Sequence, residues 1–587
     1  MTPAAAKRLR LLASAVSVQL VVTLLAAGWF YSRMRASLPQ LDGRAALTGL
    51  GAAVTVERDA LGVPTIRAQS RVDVARALGW LHAQERFFQM DLLRRNAAGE
   101  LAELFGVRAL AHDKAVRIHG FRALASQVGA RRPSDHRSGL DAYTAGVNAG
   151  LAALGAKPFE YYGLRTTPEP WRPEDTILVG YTIILDMQDE TGAYEKTLMT
   201  LRDQLGPEGL AFFAPLVGPD DAALDGTTAP LPPVPGPKML DLRQPKTVAL
   251  PPPDPADAEP VALGSNAIAL SGAHTANGAA LLANDMHLAL RVPNTWYRAS
   301  FEFDGRKLTG LTLPGTPLLV SGSNGRVAWG FTDAFTDTGD RFVLENRPGL
   351  PSWYTAPGHP DGLKIEQRKE TIRVKGGEAV TIDVPWTIWG PIVGKDEREH
   401  PLALRWVAHD PAAVSLNLLS MEDATDVASA VAVAHRAGMT TVNCIIADST
   451  GKIAWTIAGA VPKRIGYDGR LPVSWTFGDR RWEGLLPPDE VPSLVDPAGG
   501  RIWSANQRTV GGETLTTLGD AGYPRPARAA QIRDRLVTLE RATPRDLLAH
   551  QLDDRALFLA PWHKLLLDTL TTDVTAQAWR TALDPDG

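Results

Sequence analysis

Cysteine is all but missing from this 587-residue chain, and the single Cys444 can neither close an intrachain disulfide nor build a CxxC redox or metal site. It stands in TTVNCIIAD, an apolar strand-like run, which predicts a buried thiol. Surplus charge is missing as well: 61 lysines and arginines face 65 acidic residues, a net charge of −4, so no basic field invites nucleic acid. Three catalytic signatures are absent, the G-x-S-x-G elbow, the H-E-x-x-H zinc helix and the phosphate-binding P-loop. What is present is an ordinary globular composition, 44% hydrophobic and 21% charged, in a chain long enough for a large core or several domains.

The N-terminus carries an uncharged run from Leu11 to Tyr31, flanked by Lys7, Arg8 and Arg10 before it and by Arg33 and Arg35 after it. At about 1.5 Å per helical residue, such a run crosses a bilayer. Trp29, Phe30 and Tyr31 suit an interfacial aromatic belt, which favours an uncleaved anchor in residues 1–36 over a signal peptide cut near Ala26 and Ala27. Either way the body is expected to be exported, to the periplasm or another extracytoplasmic face.

Eleven prolines between Pro230 and Pro260 mark an extended spacer, assigned to residues 236–264, where repeated loss of the amide donor forbids helix and strand interiors. Residues 37–235 before it read as helix-rich. There Val74, Leu78, Leu81 and Phe88 form one helical stripe closed by Gly99 and Gly106, and a second helix starts at Pro173. Residues 265–587 read as sheet-rich, with short alternating runs between Gly, Asn and Asp turns. SNAIALSG and AALLAND, joined by AHTANG, predict a hairpin, because Asn277-Gly278 tolerates positive φ. Such a hairpin returns His287 to the neighbourhood of Ser265.

Several stretches in order, GWLHAQERFFQMDLLRRNAAGELAELFG, GSNAIALSG, LLANDMHL, SNGRVAWGFTDAFTDTGDRF, IADSTGKIAWTIAGAVPKRIG and IWSANQRTV, carry a likeness spread along most of the chain. The sequence resembles the penicillin acylase family of N-terminal-nucleophile hydrolases. That resemblance implies an α+β fold, a four-layer αββα sandwich in which a helix-rich first chain wraps a sheet-rich catalytic chain. It implies autocatalytic cleavage at Gly264-Ser265 and excision of the spacer, leaving two chains as a heterodimer. Ser265 then carries its own base, since a free α-amine has a pKa of roughly 7.7 to 8.0. The amine takes the hydroxyl proton while Ser265 attacks an amide carbonyl to form an acyl-enzyme.

The same resemblance assigns further roles. Asn506 supplies one oxyanion donor through its side-chain amide, and the backbone amide of Asp333, or of Ala334, supplies the other. His287 is implied to hydrogen-bond near Ser265 and orient it, and Arg528 to stand near the nucleophile. A structural calcium is implied at Asp337, the carbonyl of Gly339 and Asp340, with Glu190 as the helical-half ligand and Glu195 as the alternative. A further family aspartate falls near Thr517, where the nearest acid is Asp520. Ile184, Leu185 and Leu288 are expected around the acyl pocket. The implied activity is hydrolysis of the amide of N-acylated small molecules, of the penicillin type. The alternatives are N-acyl homoserine lactone hydrolysis and an inactive, membrane-tethered binder of acylated ligands. The ending at TALDPDG falls short of the family's usual catalytic chain, so the expectation is a C-terminally incomplete sequence.

Overall fold

The computed structural model describes residues 2–130, 134–239, 241, 264–570 and 579–582. Most of the proline-rich spacer, residues 236–264, lies outside them, and its expected excision falls on those residues. The first helix, α1 (Pro3–Ala36), is apolar along Arg10–Ala36 and lies exposed; by length and composition it could cross a membrane, as could a signal sequence. Its end rests on the body, with the Trp29 ring edge-on to Tyr162.

Two short strands follow, β1 (Thr55–Arg58) and β2 (Pro64–Arg67), then α2 (Arg71–Ala98). The Ser70 side chain caps α2 by accepting from the Asp73 amide at 3.1 Å, and Gly99 ends it in the left-handed region. Against it packs α3 (Ser134–Ala153). Their approach is so close that a Cβ on Gly79 would meet the Tyr143 carbonyl at 2.3 Å. Next comes α4 (Pro173–Met187), opened by Pro173 and by the Asp175 carboxyl on the Arg172 amide, and then α5 (Ala193–Phe213).

Past the spacer, β3 (Gly264–Leu270) and β4 (Leu281–His287) form the expected hairpin, pairing Gly264 with His287 and Ser265 with Met286. The run β5 (Tyr297–Phe303), β6 (Arg306–Thr312), β7 (Leu319–Ser323) and β8 (Val327–Asp333) builds most of a nine-stranded sheet. Helix α6 (Val427–Ala434) precedes β9 (Val442–Asp448) and β10 (Ile453–Ala458), which extend that sheet beside β8. Strand β11 (Arg501–Ser504) pairs with β3 to complete a three-stranded sheet, and α7 (Ala527–Leu536) and α8 (Pro544–Gln551) follow.

Strand alternation sorts these elements into four layers. Cys444 and Ile446 of β9 face α2, α3 and α6 in the largest core cluster, whereas Ile445 and Ala447 face Ala267 and Ala269 of β3 between the two sheets. Ile268 and Leu270 point the other way, onto Ile532, Leu536 and Leu547 of α7 and α8. The result is helices, large sheet, small sheet, helices, an α+β αββα sandwich. Cys444 is fully buried, and burial pushes its thiol far above the usual range.

The two halves differ from the sequence reading in one respect. The helix-rich half also contributes β1 and β2, and β2 pairs in parallel with β5 from beyond the spacer. Four-residue strands flanked by turn residues carry too short an alternation to be read as elements of a distant sheet.

Candidate active site

Ser265 is the second residue of β3, on the face turned between the sheets, and it is 5% exposed. Its Oγ donates to the Gly264 carbonyl at 2.6 Å, so the hydroxyl rests against the peptide bond that joins the two residues. The Ser265 amide donates to Asn506 Oδ1 at 2.7 Å. Asn506 follows β11, fully buried, with a φ of +72° that asparagine tolerates better than most residues. Its Nδ2 donates to the Asp333 carbonyl at 3.1 Å, which links β11 to the end of β8. From α7, Arg528 reaches across the same group: Nη1 donates to the Ser265 carbonyl and Asn266 Oδ1, both at 2.7 Å, and Nη2 to Asn506 Oδ1 at 3.0 Å.

The side chains here leave little room for a Cβ on the residue before the serine. A Cβ on Gly264 would stand 3.0 Å from Arg528 Nη2 and 3.2 Å from Asn506 Oδ1. Gly264→Ala is therefore expected to slow any cleavage of this bond by at least about tenfold, through a shift of about 1.4 kcal/mol in the reacting geometry. The fraction of cut chain against time, read on denaturing gels, checks it.

Ser265, Asn506, Asp333 and Arg528 are thus brought together. His287 is not among the Ser265 contacts. It pairs with Gly264 and so shares the outer face of the small sheet with Asn266, where its Nε2 lies 2.5 Å from Asp285 Oδ2. Asn266 and Gln551 donate to the two oxygens of Asp285 at 3.0 and 2.8 Å, fixing that carboxylate. Hairpin return put His287 near Ser265 in sequence terms, but the odd offset turns the two side chains to opposite faces.

Two cavities meet at this site. One, of about 280 Å³, opens on Ser265 and is walled by Ile183, Met187, Met286, Leu288, Phe331 and Met439 among others. Of the expected pocket residues Leu288 lines it, while Ile184 and Leu185 pack into a different core, because the helix turns by roughly 100° per residue and presents Ile183, Asp186 and Met187 instead. Asp333 also opens into this cavity, and burial pushes its carboxyl up to about 7. The Phe335 amide donates to that carboxyl at 3.2 Å. Asn284, which sequence reasoning passed over, ties the sheets together behind Ser265: its Nδ2 donates to the Asn266 and Phe331 carbonyls at 2.8 and 2.9 Å. No local pattern marks such a cross-sheet residue.

The second cavity, about 470 Å³, is lined by Asp189, Glu195, Asp337, Gly339, Arg470 and Asp520, and shares Asp186, Met187 and Asp333 with the first. The expected metal ligand Glu190 has Asp189, His112 and Asp186 as its charged neighbours, whereas Glu195 is the acid on which Asp340 and Asp337 act. One turn of difference at the start of α5 decides this. Arg464 bridges the pair, 2.9 Å from Asp337 and 3.0 Å from Asp340. As they stand, no three His, Cys, Asp or Glu side chains among the described residues are gathered tightly enough to hold an ion. What fits a hard cation is the remaining charge. Burial and mutual repulsion raise the Glu195 and Asp337 carboxyls well above their ordinary range, and Glu195 Oε1 is buried with no hydrogen-bond partner. Three buried carboxyls face two guanidiniums, Arg464 bridging the aspartates and Arg341 acting on Glu195, and their oxygens are of the donor type that calcium takes.

The profile of the penicillin amidase family matches residues 53–586. The chain belongs to the penicillin amidase family. It is 33% identical over 518 residues to penicillin acylase 2 proenzyme of Pseudomonas sp. (strain SE83), an alignment covering 86% of this chain and 65% of that protein. It is 28% identical over 563 residues to the acyl-homoserine lactone acylase QuiP of Pseudomonas aeruginosa, covering 91% and 64%. The chain therefore spans about two thirds or a little less of the length of these relatives. A thermostable penicillin G acylase from Alcaligenes faecalis is similar over 54% of this chain and 58% of that one, at 20% identity and a TM-score of 0.46.

Proposed function

We propose that the protein is a self-processing amidohydrolase that cleaves the amide of N-acylated small molecules through an acyl-enzyme on Ser265. The observation that carries the reading is the Ser265 hydroxyl held 2.6 Å from the Gly264 carbonyl oxygen while Asn506 and Arg528 fix the flanking backbone. Attack of Oγ on the Gly264 carbonyl carbon moves the acyl group from nitrogen to oxygen, which breaks the peptide C–N bond and frees the Ser265 amine, and water then hydrolyses the ester to give the Gly264 carboxylate and the free hydroxyl. In the cut enzyme that amine is the base for the hydroxyl, Asn506 Nδ2 and a backbone amide at the end of β8 bind the oxyanion, and the 280 Å³ cavity takes the acyl group. Family membership and relatives named penicillin acylase and acyl-homoserine lactone acylase support this reading and keep both acyl classes in play. Denaturing electrophoresis with N-terminal sequencing tests it: the large fragment begins Ser-Asn-Ala-Ile. Absence of any fragment, together with no turnover of phenylacetyl or long-chain acyl amides, removes it in favour of an acyl-ligand binder.

Glu195, Asp337, Asp340 and the Gly339 carbonyl would hold a structural calcium, which supplies charge neutralisation between the halves and no catalytic step. Adding calcium to chelator-treated protein at a hundredfold excess over its Kd, which contributes about 2.7 kcal/mol, raises Tm by about 2–3 °C for a chain of this size. Glu195→Gln abolishes the rise; an equal rise in that variant assigns the ion elsewhere. We further infer that the body is exported and held at a membrane by residues 11–31, a reading supported by the exposed apolar α1 and its basic flanks. Carbonate extraction of membranes separates an anchored chain from a released one.

A further inference from the structure

We propose that the acyl cavity beside Ser265 selects acyl groups carrying a protonated amino group on the carbons next to the scissile carbonyl. This deepens the hydrolytic reading and rests on it for the identity of the acyl side. The wall of the cavity is largely apolar, yet two carboxyls, Asp186 of α4 and Asp333 of β8, open into it beside a single guanidinium, that of Arg291. Arg291 is already held, its Nε and Nη2 donating to Thr295 Oγ1 at 3.1 and 2.8 Å. The groups bonded to the Asp333 carboxyl are the backbone amides of Ala334 and Phe335, and among the described residues no cation acts on it. Arg291 and His112 act on Asp186, without forming an ion pair with it among the described residues.

A carboxylate stripped of water without a counter-ion is costly, and a neutral, apolar acyl group filling this cavity would strip both. An ammonium on the acyl group supplies the missing charge, so the wall discriminates between two acyl groups of the same shape. Position follows from the backbone. Asn506 holds the Asp333 carbonyl through Nδ2 and the Ser265 amide through Oδ1, so the Asp333 backbone stands near the nucleophile, and Asp333 lines the same cavity as Ser265. Asp186, shared with the adjoining acidic cavity, lies on the side away from the small sheet and adds a second attraction along the same path.

Binding measured without turnover tests the proposal on the full-length Ser265→Ala chain. Calorimetry at pH 7.5 with 3-amino-3-phenylpropanamide and 3-phenylpropanamide is expected to give a Kd at least tenfold lower for the amino compound. Asp333→Asn in the same background is expected to reduce that ratio by about tenfold, and Asp186→Asn by a smaller factor. Should Asp333→Asn misfold, the Asp186→Asn ratio decides. Equal or weaker binding of the amino compound, or a ratio untouched by either substitution, overturns the proposal. The matching 4-nitroanilides, given to processed protein with Ser265 intact, speak to the hydrolytic reading separately: failure to release nitroaniline from either removes that reading and leaves the binding ratio to stand or fall by itself.

Discussion

Ser265→Ala is expected to leave the polypeptide in one piece and to lower amide hydrolysis by at least about 10³-fold, the scale on which removal of a covalent nucleophile acts. The substitution deletes one oxygen at a buried strand position and leaves the β3 register with β4 and β11 in place. Folding is therefore retained, and Tm within about 1 °C of the uncut parent is the control. What disappears is the hydroxyl lying against the Gly264 carbonyl, which in the proposed mechanism is at once the group that cuts the chain and the group that attacks substrate. A processed Ser265→Ala protein with an intact Ser-free terminus would show that cleavage is done by another agent, and the mechanism would fail with it.

Removing the Asn506 side chain is expected to be nearly as damaging. Its amide bridges three partners: the Ser265 amide and Arg528 at its oxygen, and the end of β8 at its nitrogen. Loss of one oxyanion donor costs about 2.7 to 4 kcal/mol, a fall of about 10²- to 10³-fold in kcat. Asn506→Ala adds backbone strain at a φ of +72°, so Asn506→Asp is the sharper variant, retaining the shape while replacing the donor with a carboxylate oxygen. Both should bind an acyl amide with little change in KM while kcat collapses. A KM rise with unaltered kcat would instead make Asn506 a residue that binds substrate in the ground state.

The main architecture was legible because it rests on local rules. Pro173 opens a helix, Gly99 closes one, Asn277-Gly278 lies in the connection of the hairpin, alternation marks β3 and an apolar run marks β9. Ser265 and Asn506 were legible through motif likeness. Less legible was anything decided by side-chain facing. His287 lies at the right register and on the wrong face for Ser265, Ile184 lies one residue from the cavity wall, and Glu195 rather than Glu190 joins the aspartates. Those outcomes depend on the phase of a strand or helix relative to a neighbour distant in sequence. Asn284 and Asn443 carry no local signal at all, because their hydrogen bonds tie β8 to strands far along the chain.

The parallel pairing of β2 with β5 joins residues made before the spacer to residues made after it. Once the connecting peptide is gone, that shared ladder can be rebuilt only by collision of two separate molecules. Thermal recovery of the intact polypeptide should then be indifferent to dilution, whereas recovery of the nicked form should fall as it is diluted. Proteolytic maturation would in this way make native structure a one-time acquisition, preserved by slow unfolding more than by any ability to return.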